Sequence, residues 1–173
     1  MFVTDDASVH RAQEIATATR ELLEEHAVPG VLILTGGSSL PGLLTKGDID
    51  LHLRVLTEEF AQAVERLHAV AAAVHPEMWT GTFATFERTD EPAVGIAVTV
   101  IGCEHDIRFT SGWACLAEDA AARDEYNALK RAAEYEGAKS AFFDKISGAA
   151  ATDARDREPG AHGPRASPRD RRT

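Results

Sequence analysis

Two short segments limit what this chain can fold into. The first, Gly36-Gly37-Ser38-Ser39, follows the continuous apolar run Val31-Leu32-Ile33-Leu34. The second, Asp48-Ile49-Asp50, opens a stretch in which Ile49, Leu51, Leu53 and Val55 alternate with Asp50, His52 and Arg54. An apolar run bounded by turn formers reads as a buried strand, and strict alternation as a strand with one apolar and one polar face. The chain is therefore expected to bring a glycine turn at the end of one strand beside paired carboxylates on the next.

The rest of the pattern supplies the layers around those strands. Val9 to His26 has helical spacing, with Ile15, Ala18, Leu22 and Leu23 as its stripe and Asp5, Asp6 and Ser8 as candidate caps; Pro29-Gly30 ends it. Thr57-Glu58-Glu59 opens a second helix to about Val74. Three strands are expected at Met78–Phe86, Ala93–Ile101 and Glu104–Thr110, punctuated by Asp90-Glu91-Pro92 and Gly102. A long helix is expected from Arg123 to Ile146. This order predicts an α+β fold, a sandwich of helices on a mixed sheet. The ordered domain is expected over residues 1–147. The segment 148–173, with its prolines and scattered Arg, Asp and Ser, reads as a disordered tail.

Charge narrows the function. The net charge is −10. From Ser147 onward six Arg face Asp153, Asp156, Glu158 and Asp170, a net of +2 that leaves residues 1–146 at −12. Such a body repels the phosphate backbone, which argues against a nucleic-acid partner. No window approaches the ~18 consecutive apolar residues of a membrane helix, and Met1 to Arg11 lacks a secretory pattern, so a cytoplasmic location is expected. Cys103 and Cys115 have no CxxC spacing and read as free thiols rather than as a zinc site.

The glycine turn and the carboxylates have complementary chemistry. Glycine lets a backbone approach a ligand closely, and a turn entering a helix aims free N–H groups at an anion. Gly37 and Ser38 are the candidate phosphate cradle. Asp48 and Asp50, two apart on a strand, project to one face roughly 6–7 Å apart. Paired carboxylates repel each other, and a hard dication such as Mg²⁺ removes that penalty while bridging to substrate phosphates. Asp106, on the expected strand Glu104–Thr110, is the candidate third carboxylate, with Glu104 in reserve; the strand Ala93–Ile101 contains no acid. Lys46, just before the carboxylates, and Lys130 on the last helix are candidate phosphate ligands. Arg123 is a further cation that could fold over a triphosphate. His52, Arg54 and His105 could reach substrate, and Trp79 and Trp113 could stack on a base or belong to the core.

The Gly37-Ser38 turn followed by Asp48-Ile49-Asp50 resembles the signature of the DNA polymerase β-type nucleotidyltransferase superfamily, and Asp106-Ile107-Arg108-Phe109 resembles its third-carboxylate strand. A narrower resemblance, to the GrpB branch of that superfamily, covers about Val31 to Ile146. It rests on Ser39-Leu40-Pro41-Gly42-Leu43, Lys46, Ile49-Asp50-Leu51, Tyr126-Asn127-Ala128-Leu129-Lys130, Lys139 and Phe142-Phe143, with His105 near that family's His-rich strand. The chain departs from the family in lacking an Arg-Asp-Tyr-Leu-Arg-type segment before Tyr126 and in a shortened Trp113–Arg123 stretch. The resemblance implies a nucleotidyltransferase fold, a two-metal Mg²⁺ site on Asp48, Asp50 and Asp106, and ATP as co-substrate. The implied reaction is transfer of AMP to a small-molecule acceptor, with adenylation of a carboxylate leading to an amide as a variant. The alternative from another class is a non-catalytic nucleotide-binding or interaction module of the same fold.

Overall fold

Alternating apolar residues need a surface to cover them on one side only, and the chain provides one. The computed structural model describes residues 1–89, 91–131 and 135–156. In chain order these form β1 (Phe2–Val3), α1 (Asp6–Glu25), β2 (Val31–Thr35), β3 (Leu44–Thr45), β4 (Ile49–Val55), α2 (Phe60–Leu67), β5 (Ala72–Ala73) and β6 (Phe83–Arg88). β7 (Val94–Val100), α3 (Glu104–Glu118), α4 (Ala120–Arg131) and α5 (Tyr135–Asp156) follow. Five strands make a mixed sheet in the order β2-β4-β7-β6-β5, with β4 and β7 parallel and the other neighbours antiparallel. β1 and β3 pair separately. This is the expected α+β sandwich.

One sheet face carries Leu32, Ile49, Leu51, Leu53, Val55, Ala84, Phe86, Ile96 and Val98, packed on α1 and α2. The small buried residues Ala12 and Ala16 turn toward it, and Asp5 caps α1 by accepting the Ser8 N–H at 2.8 Å. A second core gathers Leu43, Leu116, Ala122, Tyr126, Phe142, Phe143 and Ile146 from α3, α4, α5 and the loop before β3. Gly112 permits that packing, since a Cβ there would fall 2.5 Å from the Phe143 ring.

Several expected elements are corrected. The strand expected at Glu104–Thr110 is the first half of α3. Its polar-apolar alternation mimics a strand, but Gly102, at φ +83°, turns the chain, and the Cys103 sulfur caps the new helix by accepting the Asp106 N–H. The strand expected at Met78–Phe86 begins only at Phe83, after a single 3-10 turn over Pro76–Met78. The helix expected to reach Val74 ends at Leu67, and Ala72–Ala73 joins the sheet edge instead. The long helix expected over Arg123–Ile146 is two helices, α4 and α5. α5 runs to Asp156, and the rest of the tail, 157–173, lies outside the described residues. Among the described residues no helix is long and apolar enough to cross a membrane.

Candidate functional site

The sheet face away from α1 and α2 is divided. Register places Thr35, Asp50, Gly95 and Glu87 in one row across β2, β4, β7 and β6, with His52 beside Ala97 in the next row and Arg54 beside Thr99 in the row after it. α3 covers the lower rows. Phe109 meets the His52 ring edge-on, and His105 stacks on Phe83 with ring centroids 4.2 Å apart. The row of Asp50 lies beyond this cover, next to the glycine turn.

The turn is held from three sides. Thr4, buried, donates its hydroxyl to the Gly37 carbonyl at 2.7 Å. Ser38, also buried, donates to the Asp48 carbonyl at 2.7 Å and stands 3.0 Å from the Thr45 hydroxyl. From α4, Asn127 accepts the Leu44 N–H at 2.8 Å and donates to the Gly42 carbonyl at 2.7 Å, while the Lys130 ammonium donates to the Leu44 carbonyl at 2.8 Å. Gly36, at φ +77°, lies flush against Asp50: a Cβ there would fall on the carboxylate. The Ser38 hydroxyl thus works inside the fold. No helix follows the turn, so its offer to an anion is backbone alone. Among the described residues, no acceptor engages the Gly37 or Ser38 N–H.

Asp48 and Asp50 stand together beside this turn, both with solvent access. Asp50 is exposed, with Gly36 packed close against its carboxyl, and desolvation by the surrounding chain, followed by the charge of Asp48, raises its pKa above the ordinary carboxylate value; Lys139 and Lys130 act in the opposite direction. Burial also lowers the Lys130 pKa, opposed by Asp48 and Asp50. Lys130 lies over the Tyr126 ring as well, 5.2 Å from its centroid. The exposed Lys46 is close enough to repel the Lys130 charge.

Asp106 does not join them. It is buried on the first turn of α3, and Arg54 grips it with two hydrogen bonds, 2.6 Å from Nε and 2.8 Å from Nη2. The Gly102 N–H donates to it at 2.8 Å, and His52 Nε2 lies 3.7 Å away. Burial works to raise the Asp106 pKa, but the Arg54 and Gly102 hydrogen bonds and the Arg54 charge bring it below the ordinary value. Arg54 lies four residues from Asp50, about 13 Å along the strand. The charges that act on Asp50 are those of Asp48, Lys139 and Lys130, and among the described residues no group of three His, Cys, Asp or Glu is placed to hold a metal. The expected trio is therefore a pair. The physical reason is the strand-to-helix change, which turns Asp106 under the sheet face instead of along it.

The other candidates also have defined places. His52, buried, bonds Thr99 at 2.7 Å, and burial lowers its pKa to about 4. Arg123 donates to the Leu116 and Ala117 carbonyls and closes the end of α3. Trp113 packs on Tyr126 and Phe143, and Trp79 on Phe86. Sequence reasoning missed Thr4, and it named Asn127 only within the Tyr126–Lys130 resemblance, without a role. Its place beside Tyr126 and three residues before Lys130 was the available signal for Asn127; Thr4 had none.

Comparison with known proteins agrees on the fold. The structure superposes on GrpB from Enterococcus faecalis, a conserved protein, with a TM-score of 0.67 at 18% identity, over 89% of this chain and 98% of that one. It also superposes on the Cid1 poly(U) polymerase, solved with Mg and 3'-dATP bound, with a TM-score of 0.50 at 12% identity, over 74% of this chain and 42% of that one. The chain has a nucleotidyltransferase-like fold, shared with GrpB. No family model matches its sequence, and no curated protein does.

Proposed function

We propose that the protein binds a nucleoside triphosphate, ATP in the first instance, together with Mg²⁺, and acts as a nucleotide-binding module. The observation that carries this reading is the pairing of two accessible carboxylates with a backbone turn whose N–H groups are unengaged among the described residues. The donor set suits Mg²⁺. Asp50 is crowded and repelled by Asp48, a state that a dication relieves. Its oxygens line a cradle that any side chain at position 36 would fill. Asp48 and Asp50 would hold the ion, which would supply positive charge to the phosphate oxygens.

The chain's own residues would do the rest. Gly37 and Ser38 N–H groups would meet the terminal phosphates, and Lys130 and Lys46 would add charge around them. Asn127 and Thr4 would hold the turn in place. Nucleotidyl transfer to a small-molecule acceptor is the second reading, and the fold shared with the Cid1 poly(U) polymerase favours it. The engagement of Asp106 by Arg54 favours binding over turnover.

Calorimetric titration of ATP in Mg²⁺ tests the proposal. Saturable binding is expected, with at least a tenfold loss for Asp48→Asn or Asp50→Asn and little change for a conservative Lys46→Arg. Equal affinity in wild type and both asparagine variants would overturn it. Pyrophosphate release across an acceptor panel separates the two readings.

A further inference from the structure

Strand β7 runs parallel to β4, and its residue opposite Asp50 is Gly95. The backbone does not require a glycine there, because Gly95 is not among the positive-φ residues that include Gly36 and Gly102. Space does not require it either. A Cβ at Gly95 would stand 3.7 Å from Asp50 Oδ1 and 4.0 Å from the Ile49 carbonyl, which is ordinary contact. The next positions on that face are Ala97, opposite His52, and Thr99, already engaged with His52 and Asp106. β7 therefore brings no ligating group to the flank of Asp50. Positive charge is already near, since Lys130 and Lys139 both act on Asp50.

We propose that Gly95 fixes the metal stoichiometry of this site at one. Two carboxylates balance a single dication, and a second ion beside it would need a further protein ligand between them. Glycine at 95 withholds that ligand, and the two lysines carry the charge that a second ion would bring to the phosphates. The inference rests on the reading of Asp48 and Asp50 as metal ligands.

The test counts Mn²⁺ bound in the presence of a saturating non-hydrolysable ATP analogue, by equilibrium dialysis and by the Mn–Mn coupling seen in electron paramagnetic resonance. Gly95→Asp is compared with Gly95→Asn, which has the same shape without the charge. The expected result is one Mn²⁺ for wild type and Gly95→Asn, and two coupled ions for Gly95→Asp. Two ions in wild type, or one in a folded Gly95→Asp, would overturn the inference while leaving the reading of Asp48 and Asp50 as metal ligands intact. No Mn²⁺ in wild type, with Asp48→Asn and Asp50→Asn indistinguishable from it, would overturn both. Should Gly95→Asp fail to fold, Gly95→Glu carries the same comparison, and one ion there counts against the inference.

Discussion

Asp50 and Arg54 leave the same face of β4, about 13 Å apart, and meet opposite surroundings. At the Arg54 end α3 closes over the sheet, and Asp106 receives a guanidinium, a backbone N–H and the Thr99 hydroxyl within a few ångströms. At the Asp50 end the sheet is open and a second carboxylate stands beside the first. Lys130 and Lys139 supply positive charge to Asp50, but desolvation and the charge of Asp48 outweigh them. Desolvation opposes charge at both places. Only at Asp106 does the fold answer it, so the pKa falls there and rises at Asp50. A carboxylate whose fold satisfies it serves structure; one left unsatisfied at an open groove is available to a ligand.

Removing the satisfied carboxylate is the most damaging way to probe this difference. Asp106→Ala strands Arg54 and the Gly102 N–H under α3, and should cost about 3–5 kcal/mol of unfolding free energy in denaturant titration, as for other broken buried pairs. If the loss were below about 1 kcal/mol, the closed end would not be the structural half of the face.

Acid should act on the closed end next. His52 has a folded pKa of about 4 against an ordinary 6.5, so it is held neutral. A depressed folded pKa means that its contribution is complete above pH 6.5 and is lost as pH falls toward 4, up to about 3 kcal/mol over that window. Asp106, also depressed, adds a loss only below the ordinary carboxylate range. Stability measured between pH 7 and 4 should therefore fall, and His52→Gln, which keeps an amide donor for Thr99, should flatten the slope. An unchanged slope would remove His52 from the acid response.

The two ends also differed in how far the sequence disclosed them. Alternation along Ile49–Val55 fixed which side of β4 faces α1, and the glycine turn followed the apolar run of β2 as expected, because both signals are local. The Asp106 end was misread for the same reason. His105, Ile107 and Phe109 alternate with charged residues in a short window, and only the cap at Cys103 and the distant contacts of α3 with Phe83 and α5 decide for a helix. The β7 register that sets Gly95 beside Asp50 depends on pairing across more than forty residues, which no local pattern encodes.

At the open end the support of the turn can be weakened without touching a carboxylate. Asn127→Ala removes both hydrogen bonds to the Gly42–Leu44 backbone and leaves a buried N–H unpaired, a cost of about 2 kcal/mol. ATP affinity should fall several-fold with it, whereas Asp106→Asn, at the far end, should leave the affinity of the folded fraction unchanged. Equal effects of the two on nucleotide binding would mean that the face does not divide as drawn.

The smallest expected effect has the opposite sign. Because the folded pKa of Asp50 is raised, its contribution to stability is fully present below the ordinary carboxylate pKa and is lost as pH rises through the folded value. Its slope thus opposes those of His52 and Asp106. Asp50→Asn removes the repulsion from Asp48 and the desolvation of a charge, so the variant should match or exceed wild type by up to about 1 kcal/mol at neutral pH. The same substitution should abolish Mg²⁺-dependent nucleotide binding. Thermal unfolding with and without Mg²⁺ and ATP separates the two effects in one experiment: wild type should gain stability from the ligands and Asp50→Asn should not. A variant less stable than wild type in their absence would show that the fold does satisfy Asp50, and the contrast with Asp106 would fail at its open end.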